Sequence, residues 1–166
     1  MKWLYSLAFL FIFNASFGQS VSVDSSQVPY LQDKKLPFFK MMQTDSSLFF
    51  KSDLKKKRAT VIVYFSPDCE HCQKFTELLT KRIAEFKKTQ FVFVSPFPLS
   101  KVKEFYDNYH VKDYPGIKMG FDQLYFFGTY FHARFIPFIA AYDKKGTLIR
   151  GWEGEVTIDT LLETLK

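Results

Sequence analysis

Residues 60–72 read Thr60-Val61-Ile62-Val63-Tyr64-Phe65-Ser66-Pro67-Asp68-Cys69-Glu70-His71-Cys72. Val61 to Phe65 is an unbroken β-branched and aromatic run of strand length. It is apolar on both faces, which predicts a central strand covered on each side. Ser66-Pro67-Asp68 closes it. Beyond Cys69 the apolar residues Cys72, Phe75, Leu79, Ile83 and Phe86 recur at steps of three and four, and Leu78 widens the stripe. Glu77, Lys81, Arg82 and Glu85 occupy the other faces, so an amphipathic helix follows the strand. Phe91-Val92-Phe93-Val94 is a second buried run. Strand, helix and strand in this order predict a βαβ unit with parallel pairing.

Working outward, residues 99–109 and 121–127 are expected as shorter helices, with Pro115-Gly116 between them. Pro137 precedes a third strand, Phe138 to Tyr142. Asp143-Lys144-Lys145-Gly146 then turns the chain into a fourth strand at Thr147 to Arg150. Ile158, Leu161, Leu162 and Leu165 give the last segment, 155–166, a helical stripe. Upstream, Leu36-Pro37-Phe38-Phe39, Met41-Met42, Leu48-Phe49-Phe50 and Leu54 are punctuated by Pro37 and Asp45-Ser46-Ser47, the pattern of a short hairpin. Lys55-Lys56-Lys57-Arg58 reads as a solvated turn. The expected class is α/β, a central mixed sheet flanked by helices with an added N-terminal β-hairpin. The cluster Tyr125-Phe126-Phe127, Tyr130-Phe131 and Phe135 is expected mainly in the core. Part of it is a candidate apolar wall beside the cysteines.

The chain has 166 residues, 47% of them hydrophobic and 24% charged, with 21 Phe. That balance excludes a collagen-like, a largely disordered and a multi-span membrane protein. The net charge of +6 comes mostly from dispersed lysines. With no Gly-rich phosphate loop and no basic stripe interleaved with aromatics, nucleic acid is not an expected partner. Residues 1–18 have the layout of a signal peptide. Lys2 is followed by the apolar run Trp3 to Phe13, broken only by Ser6, and Ser16 and Gly18 suit cleavage after Gly18. An uncleaved anchor is the alternative, although the run is shorter than the ~20 residues of a spanning helix. Residues 19–35 are expected to be a flexible lead-in and 36–166 the folded domain of an exported protein.

The candidate chemistry lies at Cys69-Glu70-His71-Cys72. Unpaired N–H groups at a helix start stabilise an anion. Lowering a thiol pKa from about 8.5 to about 7 raises its thiolate fraction at pH 7 from about 3% to about half. His71 can add a positive charge or a donor, and Glu70 opposes it. Cys69, at the exposed lip, is the expected nucleophile, and Cys72, one turn in, the resolving thiol. Two other uses of the pair stand beside this one. One is a static disulfide, although a four-residue loop stabilises little. The other is a copper or zinc site completed by His71, His110 or His132, for which no regular ligand spacing exists. No metal site and no organic cofactor are assigned, since the thiols themselves carry two electrons.

The stretch Tyr64 to Cys72 resembles the active-site segment of the thioredoxin-like superfamily, and within it the exported thiol-disulfide reductases of the TlpA and ResA type. Three other places agree. Leu36-Pro37-Phe38-Phe39 with Asp45 and Leu54 resembles the N-terminal hairpin of those proteins. Ile136-Pro137 stands where the superfamily places a cis-proline facing the CxxC, at the edge that receives a substrate peptide. Tyr142 to Gly146 resembles the turn between its last two strands. The likeness covers most of residues 36–165. It implies disulfide exchange with protein thiols or disulfides of exported clients, a bacterial periplasmic location and a membrane redox partner that resets the dithiol. Departures are also visible. Asp68 replaces the usual Trp, Glu70-His71 the usual dipeptides, Val63 a buried Asp, and Phe138 a Thr. The His resembles the oxidase branch, whereas the hairpin and the Asp-Lys-Lys-Gly turn resemble the reductase branch, which is the expected direction. A peroxiredoxin pattern fails, since Ile62 stands where a Pro is needed.

Overall fold

A computed structural model describes residues 28–166. The expected signal segment, 1–18, and residues 19–27 of the lead-in lie outside the described residues. The elements run α1 (Pro29–Gln32), β1 (Lys40–Gln43), β2 (Leu48–Phe50), β3 (Ala59–Tyr64), α2 (Glu70–Lys81), β4 (Thr89–Ser95), α3 (Leu99–Asn108), β5 (Ile117–Phe121), α4 (Phe126–Phe131), β6 (Phe138–Tyr142), β7 (Leu148–Glu153) and α5 (Ile158–Thr164). The described strands form one seven-stranded sheet in the order β2-β1-β5-β4-β3-β6-β7. β3, β4 and β5 are parallel. β6 pairs antiparallel to β3, and β7 to β6. The β1–β2 hairpin joins the other side through β5, also antiparallel. The expected mixed α/β architecture, a central sheet flanked by helices with an added N-terminal hairpin, is thereby established.

Strand alternation divides the apolar residues of the sheet between two cores. Val61, Val63 and Phe65 face one side, with Phe75 and Leu79 of α2, Val102 and Phe105 of α3, and Leu161 of α5. Ile62, Val92, Val94, Phe138 and Tyr142 face the other, under Phe127 and Phe131 of α4 and Phe39 and Phe49 of the hairpin. Burial on both faces is what the continuous runs at 61–65 and 91–94 predicted. The Cys72, Phe75, Leu79 stripe is the inward face of α2.

Two expectations are corrected. The helix expected at 121–127 is instead the end of β5, a turn and the start of α4. In β5, Ile117 and Met119 point inward while Lys118 is exposed, too short an alternation to stand out. Gly120 makes the pairing with β1 possible, because a Cβ there would stand 2.5 Å from the Met42 carbonyl oxygen. The helix after Cys69 ends at Lys81, and Ile83–Glu85 tightens into a 3-10 turn, although Phe86 stays buried as its spacing required. From Val28 onward the lead-in is packed against the domain. Val28 is buried, and the Tyr30 ring meets Phe131 and Phe138 edge-on at 5.6 and 5.4 Å. The Lys34 carbonyl accepts the Leu148 N–H.

Candidate active site

β3 delivers the chain to the carboxyl end of the parallel strands, where Phe65 N–H still bonds to the Val94 carbonyl. The turn that follows is held by its own polar groups. Cys69 N–H donates to the Ser66 carbonyl, Asp68 N–H to Ser66 Oγ, and Gln73 Nε2 to the Pro67 carbonyl. Cys69 then caps α2: its sulfur accepts the Cys72 N–H at 3.3 Å. Sulfur here does what a Ser or Asp oxygen does at other helix starts, and the aligned peptide dipoles favour negative charge on it.

The two thiols differ in access. Cys69 is half-buried at the rim, whereas Cys72 is only 1% exposed among the core residues beneath. Burial pushes the Cys72 thiol far above the ordinary range, and its hydrogen bond with Cys69 pushes the same way. Below about pH 8.5 folded and unfolded chains both hold this proton, so it contributes no pH dependence. Above that value only the unfolded chain releases it, and stability falls by up to about 1.4 kcal/mol per pH unit until the raised folded value is passed. Urea unfolding of the reduced protein from pH 7.5 to 10 is therefore expected to fall more steeply for the wild type than for Cys72→Ala. Parallel profiles would contradict it.

Ile136 and Pro137, distant in sequence, arrive beside Cys69. The Ile136–Pro137 peptide bond is cis. The Cys69 sulfur lies 3.8 Å from the Ile136 carbonyl oxygen. Ile136 is half-buried and Pro137 buried, and Phe135 next to them is 64% exposed. The aromatic cluster thus divides: Phe127 and Phe131 belong to the core, Tyr125 and Phe135 face solvent, and Phe126 and Tyr130 lie between.

The dipeptide between the cysteines is solvent-facing. Glu70 has no hydrogen-bond or ion-pair partner among the described residues, whereas His71 Nδ1 lies 2.6 Å from Glu155 Oε1. The His71 contact, reinforced by Lys74, holds the Glu155 carboxyl below its usual range. Sequence reasoning missed Glu155. It precedes α5 in a polar segment, and nothing local marks a contact that spans 84 positions. Lys101 of α3 adds a cation 3.8 Å from Asp68. His110 and His132 are elsewhere, each in the left-handed region just past a helix, the conformation that ends helices. No group of three His, Cys, Asp or Glu side chains suited to a metal occurs among the described residues.

A model of the thioredoxin-like domain family matches residues 50–166. The chain belongs to the thioredoxin-like family. Solved thioredoxin-like structures carry the same fold at low identity. A secreted Mycobacterium tuberculosis disulfide oxidoreductase, homologous to E. coli DsbE, is 15% identical with a TM-score of 0.64, covering 76% of this chain and 92% of its own. StoA from Bacillus subtilis is 14% identical with a TM-score of 0.58, covering 79% and 98%. The peroxidoxin BcpB from Mycobacterium tuberculosis is 14% identical with a TM-score of 0.67, covering 78% and 92%. No curated protein matches in sequence. Thioredoxin-like neighbours of more than one chemistry mean that the reaction must be argued from the cysteines of this chain.

Proposed function

We propose that this thioredoxin-like chain is an exported thiol-disulfide oxidoreductase of the TlpA and ResA type, reducing disulfides in protein clients through Cys69 and Cys72. The observation that carries the proposal is the Cys69 sulfur itself. It is accessible, it caps α2, and it lies against the Ile136–Pro137 backbone. The Cys69 thiolate attacks one sulfur of a client disulfide; a mixed disulfide forms and the other client sulfur leaves as a thiolate. Cys72 gives its proton to that departing thiolate and attacks Cys69, which releases the second client sulfur. The client gains two electrons, and Cys69–Cys72 becomes a disulfide that a membrane redox partner reduces again. Ile136 and Pro137 offer the backbone edge along which the client strand is held, with Phe135 as an apolar contact. Glu70 and His71 set the charge around Cys69. The signal layout of residues 1–18 supports export.

The reductive direction is supported by the His71–Glu155 pair. A free imidazolium beside Cys69 would stabilise the thiolate, hence the reduced form, and make the couple more oxidising. Glu155 balances that charge. The couple is expected near −270 mV when equilibrated with thiol buffers, whereas a value near −120 mV would reverse the assigned direction. Failure of Cys69 to be alkylated anywhere from pH 5 to 9 in the reduced protein would remove the site altogether. Glu155→Gln is expected to raise the potential by up to about 20 mV. The rise should disappear when His71 is also replaced by Ala, because no imidazole is then left for Glu155 to balance. A fall, or a rise that persists without His71, would show that Glu155 does not act through His71.

A further inference from the structure

The face of the sheet opposite Cys72 carries an open groove of about 1050 Å³ between the hairpin and α4. Its walls are aromatic and aliphatic and unusually exposed: Phe38 is 87% accessible, Leu124 65%, Tyr125 61% and Phe50 41%. A contiguous apolar surface of this kind marks a binding site more often than a bare exterior. Its charged lining residues are Lys40, Lys51 and Lys56, and no Asp or Glu lines it. Lys51 is engaged with the Leu36 carbonyl and lies 4.3 Å over the Phe38 ring. Lys40 and Lys56 have no carboxylate partner among the described residues.

We propose that this groove binds a free long-chain carboxylate, its acyl chain against the aromatic walls and its carboxylate on the lysine rim. Charge complementarity selects an anion. The wall chemistry selects an acyl chain over a peptide, because a peptide brings N–H and C=O groups that lose water on burial and need partners. Apart from lysine ammonium groups and the ring hydroxyls of Tyr125 and Tyr130, the side-chain polar groups of the lining are the hydroxyls of Ser52 and Thr129, and Thr129 already bonds to the Tyr125 carbonyl. An acyl chain brings no such groups.

The test uses the full chain and decanoate below its micellar concentration, followed by calorimetry. One equivalent is expected to bind saturably, about tenfold more tightly than octanoate for the two added methylenes. A Lys40→Gln/Lys56→Gln double variant should weaken decanoate at least fivefold and leave decanol unchanged. Leu124→Glu should weaken both at least tenfold, while Lys81→Gln, outside the groove, changes neither. Alkylation of Cys69 should be the same in every variant, so that this proposal and the redox assignment fail separately. Non-saturable binding, or binding indifferent to the lysines, overturns the proposal. It is also overturned if decanoate does not bind and Leu124→Glu instead abolishes sedimentation with phosphatidylglycerol vesicles, capture of an acidic peptide or self-association. Those results would assign the groove to a membrane, a polypeptide or a second copy.

Discussion

Cys72→Ala is expected to attack client disulfides once and then stop, accumulating mixed disulfides through Cys69. Cys69→Ser should form none and lose exchange activity by at least about 1,000-fold, because a hydroxyl at this position lacks the nucleophilicity of a thiolate. The asymmetry follows from access rather than from spacing. A client sulfur can reach Cys69 at the rim, beside Ile136. It cannot reach Cys72, a residue only 1% exposed in the core beneath α2, whose burial keeps the thiol protonated. Only an attacked Cys69, one helical turn away, is within its range. Mass spectrometry of acid-quenched Cys72→Ala mixtures and a turnover assay on Cys69→Ser measure the two halves. A mixed disulfide through Cys72 in the Cys69→Ser variant would reverse the roles.

Long apolar runs made the centre of the fold legible. Val61 to Phe65, Phe91 to Val94 and Phe138 to Tyr142 are buried on both sides apart from half-buried Tyr64, so nearly every position reports the same environment and the strand stands out in the sequence. β5 was illegible for the opposite reason. Its five residues include exposed Lys118 and the small Gly120, whose role is to let the Met42 backbone approach. That requirement belongs to the partner strand and leaves no periodic trace. The start of α4 was displaced for a related reason. Buried Asp122 accepts the Phe127 N–H at 2.8 Å and so holds the first turn from five positions away. A cap at that distance is not the usual local pattern.

The candidate site divides in the same way. Cys69 and Cys72 were legible because their chemistry and their strand-to-helix setting are both local. Ile136 and Pro137 were placed opposite them only through family resemblance, since 67 positions separate Cys69 from Ile136. Glu155 had neither a motif nor a resemblance behind it. An ion pair between two exposed side chains is a product of how α2 and the segment before α5 are packed. The placement of His71 therefore depends on the core under α2, and the residues of that core decide whether the site keeps its geometry.

Phe93→Ala tests that dependence. Phe93 is fully buried on β4, opposite Val63 of β3 and Met119 of β5 in register. Its ring meets Phe65, which leads into the turn before Cys69, at 5.7 Å, and Phe75 of α2 at 6.4 Å. Truncation removes a ring that touches both approaches to the cysteines and leaves a cavity that a sheet paired on both sides cannot close. The expected loss is about 3–5 kcal/mol, from the transfer of the ring plus the cavity. Against a total of about 5–15 kcal/mol this is a large fraction. It should appear as a lower urea midpoint with an unchanged slope. Leu78→Ala on the same helix is the control, since Leu78 is 44% exposed and its loss should stay within about 0.5 kcal/mol. In Phe93→Ala the alkylation rates of Cys69 and Cys72 should also converge, because α2 loses the packing that keeps Cys72 covered. A loss below about 1 kcal/mol, with Cys72 still protected, would show that the difference between the two thiols does not originate in this core.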